Sequence, residues 1–284
     1  MSISNINELI TEAEADNRAV GAFSVGNMEM IIGAIKAAEE LNTPIILQIA
    51  QSRLKHSPLH MIGPMMINAA KNAKIKVAVH LDHGLTLDII KQALGLNFTS
   101  VMFDGSKYDV KRNLELTKEV SALAREKGAC IEAELGVIGG SEGNGTNKTE
   151  CTDPDTARWF SESVDIDALA VAIGNAHGHY TSKPKLRLDI LKEIHEKVKT
   201  PLVLHGGSGI SPKGFRDCIN LGVRKINIAT ANFDSLTCGA ERYFKTKGPY
   251  NYFSLNEAMV AGVYKNIKRH IQIFNNKIPL EQIS

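Results

Sequence analysis

Short apolar stretches rich in β-branched residues recur along the chain: AVGAFSVG from Ala19, PIILQIA from Pro44, VAVHLDH from Val77, SVMFDG from Ser100, CIEAELG from Cys130, ALAVAIG from Ala168, PLVLHGG from Pro201 and KINIATA from Lys225. Segments between them, among them MEMIIGAIKAAEELN, LTLDIIKQALGLN and VKRNLELTKEVSALAREKG, place apolar residues at i, i+3, i+4 and i+7, the period of an amphipathic helix. Eight near-continuous apolar runs alternating with helices are what parallel strands covered on both faces look like. The pattern predicts an α/β fold, a (β/α)8 TIM barrel, with a doubly wound sheet as the structural alternative. NEAMVAGVYKNIKRHIQIF, near the C-terminus, predicts one additional amphipathic helix, whose apolar stripe packs on its own barrel or supports contact with another subunit.

Composition narrows the picture. A chain of 284 residues that is 43% hydrophobic can bury a large core, and no repeat or interdomain linker interrupts it, so residues 1–284 are expected to form a single domain. Its only low-complexity segment is GGSEGNGTNKTE after the fifth strand, read as a glycine-rich mobile loop. The 33 basic and 31 acidic residues leave a net charge of +2, which gives no long-range field suited to nucleic acid or an anionic membrane. An anionic ligand would need a local positive site. The N-terminus carries acidic residues and no secretory apolar core, and no stretch approaches the ~18 apolar residues of a membrane span. Cys130, Cys151, Cys218 and Cys238 form no C-x-x-C pair and read as reduced thiols, so a cytoplasmic location is expected.

In a barrel of this kind, chemistry sits at the C-terminal ends of the strands. Strand three ends in Asp82 and His83, strand four in Asp104, strand five in Glu134, strand six leads to His177 and strand seven ends in His205. One such histidine is ordinarily a hydrogen-bonded structural residue, but three from separate strands match a catalytic Zn²⁺ site, which takes three protein ligands and leaves a position open. On a regular strand His80 points away from His83 and serves packing or supports a ligand. GGSG at Gly206–Gly209 and NIAT at Asn227–Thr230 follow strands seven and eight, where barrels frequently bind phosphate through backbone N–H groups and a helix N-terminus. A lone GGSG is more often a tight turn; its position here favours a phosphorylated ligand.

HLDHG, EAELG followed by GGSEG, AIGNAHGHY, LHGGSG and KINIAT, in this order, resemble the class II, zinc-dependent ketose-bisphosphate aldolases of the fructose- and tagatose-bisphosphate type over nearly the whole chain. The resemblance implies Zn²⁺ on His83, His177 and His205, Asp82 as the acid/base at the substrate C4 hydroxyl, and Asp104 and Glu134 at a second or alternative metal position. It implies Glu142 as the loop residue that moves the carbon proton. Gly178, Gly206, Gly207, Ser208, Asn227, Ile228, Ala229 and Thr230 match the site for dihydroxyacetone phosphate, which in this family can include a monovalent cation, Na⁺ or K⁺. A homodimer or homotetramer, with a phosphorylated sugar as the small-molecule partner, follows from the same resemblance.

Class I aldolases use a lysine Schiff base, but no predicted strand end offers a lysine; Lys76 and Lys225 stand at strand entrances. Ala229 occupies a place where fructose-type members often carry aspartate, which points to the tagatose branch, whereas LHGGSG resembles the fructose branch. Ser24 stands where many relatives carry asparagine, and ANFDSL departs from the usual pattern. The substrate's C4 stereochemistry is therefore open. A non-catalytic partner subunit of a sugar-bisphosphate aldolase and a phosphate-binding barrel epimerase or isomerase remain as alternatives.

Overall fold

The computed structural model describes residues 2–140, 149–180, 182, 184–246 and 248–283. Parallel strands β1 (Val20–Ser24), β2 (Ile45–Ala50), β3 (Val77–Gly84), β4 (Ser100–Phe103), β5 (Cys130–Leu135), β6 (Ala168–Val171), β7 (Leu202–Leu204) and β8 (Val223–Ile228) pair in chain order, and β8 closes on β1. Helices alternate with them, α3 (Leu59–Asn72), α4 (Leu87–Gly95), α5 (Val110–Glu126), α6 (Pro154–Ser163), α7 (Leu188–Lys197) and α8 (Pro212–Asn220) among them, so the predicted (β/α)8 barrel is the observed fold. The strands are buried throughout, as their apolar runs require, because helices cover the outer face and side chains fill the inner one.

Two apolar layers hold the barrel. Outward residues such as Val77, Val79, Leu81 and Ile131 pack under the surrounding helices, while Val20, Ala22, Ile46, Ala78, Ala168 and Val203 line the barrel floor. That floor is plugged by α1 (Ile6–Ala15), whose Ile6, Leu9, Ile10 and Ala13 lie on one buried stripe. The α1 N-terminus is capped by Asn5, whose side chain accepts the Glu8 N–H at 2.9 Å. With α1 filling its base, the barrel presents its C-terminal rim to ligands.

The additional helix, α10 (Tyr252–Phe274), lies along α2 (Met28–Glu40) and α9 (Thr230–Phe244), burying Val263, Ile267, Ile271 and Phe274. Most of its apolar stripe is thus used by its own barrel. Close approach is enforced at Gly262, where a Cβ would stand 2.2 Å from the Ser235 carbonyl oxygen. Among the described residues, no helix is long and apolar enough to cross a membrane.

Candidate metal centre and phosphate corner

Alternation along β3 sends His80 and Asp82 into the barrel, His80 alongside its register partners Gln48 and Ser100. His83 should then face outward. It does not, because the β3–β4 register shifts between Leu81 and Gly84 and His83 takes a left-handed backbone, φ 42°. The bulge turns its ring back toward the axis. This corrects the expectation that His80 and His83 point to opposite sides: both are inside, His80 one layer deeper, where its Nδ1 lies 2.9 Å from Ser100 Oγ.

His83, His177 and His205 meet at the rim, each buried. His83 Nε2 is 3.1 Å from His177 Nε2 and 3.0 Å from His205 Nδ1. The outer nitrogens of two rings are taken by carboxylates: His83 Nδ1 lies 2.9 Å from Asp104 Oδ2, and His205 Nε2 lies 2.7 Å from Glu132 Oε1. With a proton held at each of those contacts, His83 Nε2 and His205 Nδ1 face one another as lone pairs that need a positive charge between them, either a further proton on His83 or a bound cation. With Zn–N bonds of about 2.0–2.1 Å, tetrahedral ligand nitrogens stand roughly 3.3 Å apart, so the cluster needs only slight expansion to hold one ion. The donor set fits a divalent metal.

The local charges agree. Burial disfavours a charged His83, but Asp82, Asp104 and Glu134 outweigh it and hold this imidazole well above the ordinary histidine range. His177 and His205 are driven well below it, by burial first and then by the charge on His83. The cluster thus collects one positive charge between two neutral imidazoles, the place a metal cation would take. Asp104 is held below the usual carboxylate range because hydrogen bonds from His83 and Ser106 outweigh its burial. Glu134 is pushed well above that range by burial and by the negative Asp104. His83, Asp104 and Glu134 offer a second group of ligand-type atoms within 4.8 Å of one another, sharing His83 with the first.

Asp82 is buried beside this centre, its Oδ2 accepting from Gln48 Nε2 at 3.1 Å and its Oδ1 from Asn227 Nδ2 at 3.1 Å. Glu142, expected in the loop after β5, lies outside the described residues. Sequence reasoning passed over Glu132. It shares the inward face of β5 with Glu134 two residues on, and that parity was its available signal. Lys225 also requires correction. β8 begins at Val223, so Lys225 is two residues inside the strand and fully buried in the barrel, 2.8 Å from Glu132 Oε2, rather than at the entrance.

Beside the metal centre, the β7 corner is built on close backbone contact. Gly206 has φ 62°, and a Cβ there would stand 2.2 Å from the Ala176 carbonyl oxygen; at Gly207 it would stand 2.7 Å from that of Asn227. Gly178, with φ 91°, follows His177 directly. α9 begins at Thr230 with no cap from its own preceding residue Ala229; instead Ser208 Oγ, from the neighbouring loop, accepts the Ala231 N–H at 3.0 Å. Tyr180, Ser182, Ser208, Gly209, Thr230 and Asp234 help line a cleft of about 520 Å³ there. The α9 N-terminus opening on a glycine-rich corner is anion-binding geometry.

A closed barrel with a trihistidine cluster beside an anion-binding corner defines a class of proteins suited to metal-assisted chemistry on an anionic ligand, and comparison narrows it. Residues 4–277 match the family described as "Fructose-bisphosphate aldolase class-II". A "Fructose-bisphosphate aldolase" of Giardia intestinalis is 40% identical over 225 residues, 78% of this chain and 69% of its own length. The "6-phospho-5-dehydro-2-deoxy-D-gluconate aldolase" of Halalkalibacterium halodurans is 39% identical over 236 residues, 81% of each. Among solved structures, the YdjI aldolase of Escherichia coli K12 superposes with a TM-score of 0.86 at 31% identity, covering 96% of this chain and 97% of that one. The chain belongs to the class-II fructose-bisphosphate aldolase family, and is accordingly an aldolase, a carbon–carbon lyase acting on a phosphorylated sugar.

Proposed function

We propose that the protein is a Zn²⁺-dependent aldolase that reversibly cleaves a ketose 1,6-bisphosphate, of the fructose or tagatose configuration or a close relative, into dihydroxyacetone phosphate and an aldehyde such as glyceraldehyde 3-phosphate. The observation that carries this reading is the convergence of His83 Nε2, His177 Nε2 and His205 Nδ1 within 3.0–3.1 Å along two contacts, beside the Asp82 carboxylate. His83, His177 and His205 would hold the ion, with Asp104 and Glu134 available as an alternative position. Bound there, it supplies Lewis-acid polarisation of the substrate C2 carbonyl.

The chain's own residues do the rest. Asp82 removes the C4 hydroxyl proton, and the electron pair of the C3–C4 bond is left on the dihydroxyacetone phosphate fragment as the aldehyde departs. Gln48 and Asn227 keep both Asp82 oxygens oriented. Glu142 then moves the proton at C3. Gly178, Gly206, Gly207, Ser208 and the Asn227–Thr230 stretch, including Ile228 and Ala229, receive the phosphate of that fragment at the α9 N-terminus, where a monovalent cation would complete the site. A Schiff-base route has no support here: among the described residues the fully buried lysine is Lys225, whose Nζ is engaged by Glu132 at 2.8 Å and Asn227 at 2.6 Å.

Retention of the histidine trio with Asp82 favours a catalytic chain over a partner subunit that has lost its chemistry. The test is triose-phosphate release by the purified, zinc-loaded protein from a panel of phosphorylated ketoses that includes 6-phospho-5-dehydro-2-deoxy-D-gluconate, the compound named for the Halalkalibacterium relative. Release from a ketose 1,6-bisphosphate above the others supports the assignment. Preference for the gluconate compound moves the substrate, and no release from any of them removes the activity.

A further inference from the structure

Beneath the trihistidine centre lies a charged layer that the chemistry above does not use. Lys225 on β8 and Glu132 on β5 are both completely buried, with Lys225 Nζ 2.8 Å from Glu132 Oε2. An ion pair removed from water is seldom a better source of stability than apolar side chains of the same volume, and barrel interiors are ordinarily filled by Val, Ile and Leu. Stability alone gives no reason for this pair. Its hydrogen bonds do.

We infer that Lys225 is a positioning residue that sets two working groups at once, the His205 ring through Glu132 and the Asp82 carboxylate through Asn227. The inference rests on the functional reading above, in which His205 is a ligand and Asp82 the base. On the first arm, Lys225 Nζ draws Glu132 Oε2 into an ion pair at 2.8 Å that lacks hydrogen-bond alignment, which leaves Oε1 to meet His205 Nε2 at 2.7 Å. A carboxylate can only accept, so His205 carries its proton on Nε2 and presents Nδ1 as the lone pair toward His83. On the second arm, Lys225 Nζ donates to Asn227 Oδ1 at 2.6 Å. An ammonium can only donate, which dictates the orientation of the amide and turns Nδ2 toward Asp82 Oδ1 at 3.1 Å. A flipped Asn227 would set N–H₂ against the ammonium and oxygen against carboxylate. Lys225 and Asn227, two residues apart, share the inward face of β8, so one rigid strand carries both contacts.

This geometry makes an unusual demand on mutants. In Glu132→Gln, Lys225 still claims the side-chain oxygen, so the amide N–H₂ faces His205 Nε2 and the ring proton must move to Nδ1, where it blocks the lone pair. Adding Lys225→Met frees the Gln oxygen to turn to His205, while Asn227 loses the donor that orients it. Full-length wild type, E132Q, E132Q/K225M and H83A are compared by Zn²⁺ affinity in chelator competition, the visible spectrum of the Co²⁺-loaded protein, and kcat and KM at saturating metal. E132Q is expected to lose about 10–100-fold in Zn²⁺ affinity and to change the Co²⁺ spectrum. E132Q/K225M is expected to recover affinity and spectrum toward wild type while kcat at saturating metal stays at least about 10-fold low, because Asn227 no longer orients Asp82. Lys225 acting only as a structural prop gives no such recovery.

Wild-type affinity and spectrum in E132Q, or wild-type kcat in E132Q/K225M, overturns the proposal. Should E132Q fail to fold with an unpaired ammonium, the charge-free double variant still decides through kcat at saturating metal. Tight Zn²⁺ binding by wild type that H83A abolishes upholds the underlying reading even when the proposal fails; equal binding by the two overturns both.

Discussion

Asp82 and His83 are consecutive in β3, yet both side chains enter the barrel, because the left-handed backbone of His83 and the register shift against β4 undo the alternation of the strand. Gly84 makes this possible: a Cβ there would lie 2.5 Å from the Met102 carbonyl oxygen and 2.9 Å from Ile90 Cγ1. Gly84→Ala must push β4 or the following helix away at the bulge. It is expected to destabilise the fold by about 1–3 kcal/mol, as overpacked sites do, and to weaken Zn²⁺ binding by moving His83. Thermal melts and chelator competition check this, and a variant with unchanged affinity would show that the bulge does not set the ligand.

A second expectation separates the rim from the layer below. His177→Ala and His205→Ala should lose metal together with cleavage, and removing metal from wild type should abolish cleavage until Zn²⁺ is restored. His80→Ala should keep its Zn²⁺, since that ring bonds Ser100 and stands 3.8 Å from Glu132 Oε2, the oxygen that does not meet His205. It should lose stability by about 1–3 kcal/mol for the buried hydroxyl left without its partner. Full zinc occupancy in both rim variants would refute the ligand assignment.

Much of this was legible from strand ends alone. Apolar runs placed the strands, and the residue types following them placed Asp82, Asp104, Glu134, His177 and His205 on one rim. His83 reaches that rim by a route strand parity does not show, because parity presumes a regular pleat and a bulge is a tertiary event between two strands. Lys225 was misplaced through a two-residue error in the start of β8, enough to change a mouth residue into an interior one. α1 was passed over although Ile6, Leu9, Ile10 and Ala13 carry the helical period; what no local pattern shows is that this stripe plugs the barrel floor. The loop expected around Glu142 rests on composition only and lies outside the described residues.

His270 on α10 gives a pH expectation away from the active centre. Its ring is buried against Phe215 and Phe274, its Nδ1–H donating to the Asn266 carbonyl at 2.8 Å, and burial lowers its pKa from 6.5 to about 4. The unfolded chain protonates this histidine first, so its contribution is intact above pH 6.5 and is lost as pH falls toward 4. The loss reaches about 3 kcal/mol at the acid end. Other groups titrate in the same window, so the measured quantity is the difference between wild type and His270→Gln in stability against pH. That difference should have the slope of one proton between pH 6.5 and 4; a flat difference would mean that the ring is already hydrated in the native state.

The last expectation assigns the two proton transfers to Asp82 and Glu142. Asp82 lies beside the histidine cluster but supplies none of its three converging nitrogens, so Asp82→Ala should keep its zinc. Cleavage should fall by about 10²–10⁴-fold, the contribution of a positioned general base, as the C4 hydroxyl keeps its proton. Exchange of the C3 proton of dihydroxyacetone phosphate with solvent needs no C4 hydroxyl, since it occurs in the three-carbon fragment alone, and should continue in that variant. Glu142→Ala should show the reverse weighting: metal content unchanged and deuterium incorporation into dihydroxyacetone phosphate suppressed, because the group that moves the carbon proton is gone. Measuring both reactions in both variants separates the roles. Brisk cleavage by Asp82→Ala would remove the base from β3, and normal exchange in Glu142→Ala would remove the carbon-proton role from the loop, each without touching the other.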